Sequence, residues 1–223
     1  MLKTPVIVLN MKTYTESTGK NALDIAKMMD KVSIETGINM AVSVQSIDIK
    51  ECSDNISIPV FAEHIDPIKP GSHTGWILPE AVKSVGAVGS LINHSEHRLN
   101  LADIDFCISR AKELDLGQIV CSNNILTSKA IATLSPNFLA VEPPELIGGD
   151  ISVTTANPDI VSGSVNAVKD IDDDVKVLCG AGVKNGVDVA RAIELGSVGV
   201  LLASGIIKSK NKEKIIRDLI SEL

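Results

Sequence analysis

Short apolar runs return eight times along this chain, separated by stretches with helical periodicity, and no other feature constrains its folding as tightly. The runs are Val6–Leu9, Met40–Val44, Pro59–Phe61, Val88–Ile92, Gln118–Cys121, Phe138–Val141, Val175–Leu178 and Val198–Leu202. Brief apolar runs bounded by polar and turn-forming residues read as buried strands. Between them, Ala22, Ile25, Ala26 and Met29 fall three and four apart, as do Ile215, Ile216, Leu219, Ile220 and Leu223. That spacing gives helices with one apolar face. Strand and helix alternating from end to end imply an α/β fold, a parallel sheet covered by helices.

Length favours a closed sheet over an open one. Eight units in 223 residues, with no break in composition, fit a single-domain (β/α)8 barrel, which typically takes about 250 residues. The expected domain is the whole chain, residues 1–223. A six-stranded open sheet is the alternative, because Ser46–Cys52 and Pro79–Val85 offer room for only about two helical turns. Aromatic residues make up 2% of the chain, so the core must come from Ile, Val, Leu and Ala, the residues that fill parallel sheets.

Charge and cysteine usage remove several classes of function. The formal charge of −7 is spread along the chain, which leaves no basic footprint for nucleic acid or an acidic membrane surface. The apolar run within MLKTPVIVLN is too short for a signal peptide or a membrane span, and a cytoplasmic protein is expected. Cys52, Cys107, Cys121 and Cys179 form no CxxC pair and no Cys/His ligand spacing. Neither a metal site nor dithiol chemistry is therefore expected, and the four read as exposed free thiols in a reducing compartment.

In a barrel of this kind the working residues leave the C-terminal ends of the strands. Those ends read Asn10-Met-Lys12, Asn93-His94-Ser95-Glu96, Glu142-Pro143-Pro144, Gly180-Ala-Gly182 and Ala203-Ser204-Gly205. Gly148-Gly149, Gly180-Ala-Gly182 and Ser204-Gly205 follow the last three strands in turn. One such pair is an ordinary tight turn; three in succession supply clustered backbone N–H groups suited to an anion. Glu142 stands before two prolines of fixed φ, a stiff stalk for a base, although most glutamates are simply solvated. Ser95 followed by Glu96 reads as the start of a helix or helical turn, its positive end aimed at His94. That disfavours protonation and leaves a neutral imidazole able to donate. A structural histidine is the competing account. Lys12, the one positive group at these ends, would offset negative charge developing on a bound substrate.

Taken together and in order, these residues resemble the triosephosphate isomerase family, and the likeness runs almost the whole length of the chain. Asn10-Met-Lys12 is similar to the family's N-x-K, and Asn93-His94-Ser95-Glu96-His97-Arg98 to its G-H-S-E-R-R. Glu142-Pro143 followed by Ile147-Gly148 resembles its E-P-x-x-x-I-G lid, and Ala62-Glu63-His64 and Gly71-Ser72-His73-Thr74-Gly75 resemble segments around the third strand. The shortened helices, Val-Leu-Cys-Gly-Ala-Gly and Val-Leu-Leu-Ala-Ser-Gly look most like the compact archaeal branch. The resemblance implies a TIM barrel and an isomerase of glycolysis and gluconeogenesis. Its reaction would interconvert dihydroxyacetone phosphate and D-glyceraldehyde 3-phosphate through an enediolate, without metal or organic cofactor. It further implies Glu142 as base, His94 as electrophile and Lys12 as the charge-balancing cation. Asn10, Lys12, Ile147, Gly149, Gly182, Ala203 and Ser204 would contact substrate, with Ser95 and Glu96 in support. Relatives of this kind assemble as dimers or, in the compact branch, tetramers. Departures are Glu145 for a usual Trp in the lid, Cys179 and Gly182 for a usual Tyr and Ser, and Trp76 for an acidic residue in the third loop.

Two other readings fit the residues alone. Many phosphate-binding barrel enzymes share the glycine-bearing last strands, and a non-catalytic barrel could bind a phosphorylated metabolite as a sensor or scaffold.

Overall fold

Eight parallel strands close into one barrel in sequence order, each hydrogen-bonded to the next and β8 returning to β1. The computed structural model describes residues 2–143, 152–180 and 182–223. The strands are β1 (Val6–Asn10), β2 (Asn39–Val44), β3 (Val60–Ala62), β4 (Gly89–Ile92), β5 (Gly117–Ser122), β6 (Phe138–Val141), β7 (Lys176–Gly180) and β8 (Gly199–Leu202). Each apolar run of the sequence is therefore a strand, with ends shifted by two residues at most, and the six-stranded open sheet is excluded. The intervening helices are α1 (Lys20–Thr36), α2 (Ile49–Asn55), α3 (Pro79–Ser84), α4 (Leu101–Glu113), α5 (Ile125–Ala132), α6 (Val153–Ala156), α7 (Pro158–Lys169), α8 (Gly186–Glu194), α9 (Ser204–Ile207) and α10 (Lys212–Leu219).

Alternation along the strands sorts the apolar residues into two cores, because successive side chains point to opposite faces. Ile7, Leu9, Met40, Val42, Leu139, Val141 and Val200 pack outward with the helix residues Ala22, Ile25 and Met29. Val6, Val8, Ala41, Phe61, Leu91, Ile119, Phe138, Ala140, Leu178 and Leu201 form a separate inner cluster that fills the barrel. Two of the three phenylalanines of the chain lie in that plug, where their bulk stands in for several aliphatic side chains. Continuing each inner column by one step of two brings Asn10, Glu63, Asn93, Glu142 and Gly180 to the mouth of the barrel.

Polar caps set where the helices start. Asparagine side chains at 100, 124, 185 and 211 accept N–H groups from the first turns of α4, α5, α8 and α10, satisfying donors that a helix leaves unpaired. α1 stops at Gly37, whose φ of 75° closes the helix in the left-handed region. The Ser95-Glu96 segment is a single turn, closed by His97 N–H on the His94 carbonyl, and the helix proper begins at Leu101. All four cysteines are buried free thiols, which corrects the expectation of exposed ones. Burial pushes Cys52 up to about 11 and Cys107 and Cys179 up to about 12, so they stay protonated and inert near neutrality. No helix among the described residues is long and apolar enough to cross a membrane.

Candidate active site

The mouth of the barrel brings Asn10, Lys12, His94, Glu96 and Glu142 together from three different strand ends. Lys12 takes a left-handed backbone conformation, φ 53°, and its N–H donates to the Asn10 carboxamide oxygen at 3.1 Å. This bend turns the chain so that the ammonium group meets Glu96 Oε1 at 2.7 Å. The lysine side chain is 11% exposed, which sets it apart from a solvated surface lysine.

His94 is buried, and its ring is oriented by the turn that follows it. The Glu96 backbone N–H donates to Nδ1 at 3.2 Å. A ring nitrogen that accepts carries no proton, so the remaining proton of a neutral imidazole sits on Nε2. Glu96 Oε2 also lies 3.6 Å from Nδ1, but a backbone N–H cannot accept, and the carboxylate is already engaged by Lys12. The arrangement therefore fits the tautomer with its proton on Nε2, the atom that faces Glu142.

Glu142 follows β6, and its N–H donates to the Ser122 carbonyl of β5 at 2.8 Å. Its Oε2 stands 3.4 Å from His94 Nε2. Both atoms are buried and, among the described residues, have no hydrogen-bond partner. Buried polar atoms are normally paired, and leaving one unpaired costs about 1–3 kcal/mol. Two such atoms converge here, one on a carboxylate and one on an imidazole. Beneath Glu142, Gly180 leaves the space that the carboxylate occupies: a Cβ there would lie 2.5 Å from Glu142 Cγ. Cys121 lies alongside, its thiol pushed well up by burial and further by the Glu142 carboxylate.

A cavity of about 370 Å³ opens beside these groups, lined by Asn10, Lys12, Glu63, His64, His94 and Glu96 among others. Burial pushes the Glu63 carboxyl up to about 7, with the neighbouring Lys12 pulling the other way. Among the described residues, one of its oxygens is buried without a partner. His64 bonds Asp66 at 3.1 Å and stacks on His97 with ring centroids 3.9 Å apart; burial lowers its pKa. Among the described residues, no group of three or more His, Cys, Asp or Glu side chains is placed to hold a metal ion.

On the other side of the mouth, Gly182 has φ 74°, and Ala203 and Ser204 open α9. Gly205 faces the Val183 carbonyl across a gap that a Cβ would enter at 3.7 Å, so the loop after β7 and the first turn of α9 adjoin. Ser95 lies in the turn between His94 and Glu96. Ile147, Gly149 and the lid departure Glu145 lie outside the described residues. Glu63 and Asn93 received no role from the sequence and Gly180 only that of an anion-binding turn, although the two-residue step from Phe61, Leu91 and Leu178 brings each of them to the mouth.

A family model described as triosephosphate isomerase matches residues 5–219. The triosephosphate isomerase of Methanocaldococcus jannaschii is 58% identical over 96% of this chain and 98% of its own length. That of Methanothermus fervidus is 53% identical over 98% and 99%, and that of Methanobrevibacter smithii 53% identical over the full length of both. With the family model matching nearly the whole chain and identity above one half to relatives covered almost end to end, the chain belongs to the triosephosphate isomerase family.

Proposed function

We propose that Glu142, His94 and Lys12 together carry out the interconversion of dihydroxyacetone phosphate and D-glyceraldehyde 3-phosphate, the reaction that family membership assigns to this chain. Glu142 removes a proton from the carbon next to the carbonyl, leaving an enediolate, and returns it to the neighbouring carbon. His94 donates from Nε2 to the substrate oxygens as they gain charge, and Lys12 offsets that charge together with the phosphate. The reaction changes no oxidation state overall. Asn10 holds Lys12 in its bent conformation and lines the same cavity. Gly182, Ala203 and Ser204 offer backbone N–H groups to the phosphate.

One observation carries this reading: Glu142 Oε2 and His94 Nε2, both buried and unpaired among the described residues, stand 3.4 Å apart, and His94 also lines the cavity that Asn10 and Lys12 line. A base, a neutral donor and a cation are the three groups an enediolate requires. Steady-state turnover of both triose phosphates, with Glu142→Gln beside the parent chain, tests it. Residual turnover near the parent's level in that variant would remove the assignment.

The whole chain, 1–223, is read as one domain, cytoplasmic in location. Exposed Ile47, Trp76, Leu101 and Leu126 offer apolar surface for contact between copies, which supports a homo-oligomer, dimer or tetramer. A mass measured in solution decides its size.

A further inference from the structure

We propose that Asn93 is a positioning residue for the isomerase reaction, tethering the His94 loop to the strand that also holds Glu142 and so fixing the separation of donor and base. The inference rests on the isomerase reading above. Asn93 is 4% exposed and has φ 61°, a left-handed conformation that asparagine tolerates better than most residues. That bend turns the chain out of β4 and delivers His94 to the cavity.

The side chain then closes the loop on both sides. Its Oδ1 accepts the Leu99 backbone N–H at 2.9 Å, and its Nδ2 donates to the Cys121 carbonyl of β5 at 2.9 Å. A backbone N–H can only donate and a carbonyl can only accept, so these partners fix which way round the carboxamide lies. The Asn93 carbonyl meanwhile takes a bond from Arg98 at 3.3 Å, which folds residues 93–99 back on their own start.

The neighbouring residue of β5 holds the base. Cys121 O accepts the Asn93 amide, and Ser122 O accepts the Glu142 N–H at 2.8 Å. The His94 loop and Glu142 thus hang from consecutive peptide units of one strand. A single rigid segment sets their 3.4 Å spacing, although the two residues are 48 positions apart in sequence (142 minus 94). Asparagine here adds a tether to a bend that glycine alone could make.

Two substitutions separate the bend from the tether. Asn93→Gly keeps the positive φ without strain and removes both side-chain bonds. Asn93→Asp keeps the acceptor for Leu99 but sets a carboxylate oxygen against the Cys121 carbonyl. In both, kcat for triose phosphate should fall at least about tenfold, since misplacement of around 1 Å costs up to about a hundredfold. KM should stay within about threefold, because phosphate contacts lie across the mouth. Circular dichroism and a cooperative melt establish that each variant is folded; if Asn93→Gly is not, Asn93→Asp carries the test alone. A folded variant of either kind with kcat within about twofold of the parent overturns the tether, as does a loss expressed in KM instead of kcat. A parent chain without turnover removes the isomerase reading and this inference together, whereas an active parent with a fully active Asn93→Asp removes the inference alone.

Discussion

Replacing Gly180 by alanine would put a methyl carbon 2.5 Å from Cγ of Glu142 and 3.0 Å from its Oε1. Carbon atoms rest at about 3.5–4.0 Å, so about 1 Å of movement is needed to relieve the contact. Gly180 lies outside the left-handed region, and strand β7 itself can hold an alanine. The strain therefore falls on the Glu142 side chain, and a base displaced by that distance loses about a hundredfold in rate. Overpacking a buried position costs about 1–3 kcal/mol, a melting point lower by several degrees in a chain of this size. Dihydroxyacetone phosphate formed from glyceraldehyde 3-phosphate can be followed through its NADH-dependent reduction by an added dehydrogenase, at several substrate concentrations. The expected result is a kcat about a hundredfold lower, with KM within about threefold. Full kcat in a folded Gly180→Ala chain would mean that the carboxylate reacts from a position other than the one above Gly180, and the reasoning would fail.

Glu142→Gln should lower kcat by about 10²–10⁴ while a phosphate-bearing analogue still binds, as isothermal titration would show. Lys12→Ala should cost roughly 10²–10³ in rate and weaken binding as well; a change confined to the melting point would return Lys12 to a structural role. The Glu63 carboxyl, pushed up to about 7 from an ordinary value near 4.5, predicts a pH effect on stability. The fold favours its neutral form, so that contribution is complete below pH 4.5 and is lost as pH rises through 7. Glu63→Gln should therefore gain about 1–3 kcal/mol over the parent at pH 8 and little at pH 4.5, read by urea unfolding at both. A gain independent of pH would contradict the buried titration.

Strand content was legible because each run of Val, Ile and Leu is buried on both faces, and no helix competes for four or five such residues between turns. Helix starts were less so. The segment after β4 reads as Ser-Glu, a plausible cap, yet α4 waits for Asn100, because residues 93–99 form a loop held from a distance by Asn93 and Cys121. Long-range bonds of that kind leave no local pattern. Glu142, His94 and Lys12 stood out as chemistry-bearing residues at strand ends. Gly180 reads in the sequence as part of an anion-binding turn, and its clearance for Glu142 is visible only when another strand's side chain lies above it. Glu63 reads as an ordinary polar residue after a strand, and its burial follows from the wall that Lys12 and His64 build around it. Cysteine exposure was misjudged because a small apolar thiol in a mixed segment gives no sign of which face it takes, whereas Cys121 and Cys179 turn out to occupy opposite faces of their strands.

The two-residue alternation of inner plug and outer layer also decides which changes in length the molecule can absorb. Deleting one residue within β1 would turn Asn10 toward the helices and bring Met11 to the mouth in its place, exchanging an oily group for a polar one on one side and the reverse on the other. The same holds for Ala140 to Glu142 on β6. Insertions in the connections that lead back into the strands, where the chain re-enters at the far end, disturb neither column. Descendants of such a sequence would be expected to drift freely in loop length there while the number of residues in each strand stays frozen, even where the residues themselves are exchanged.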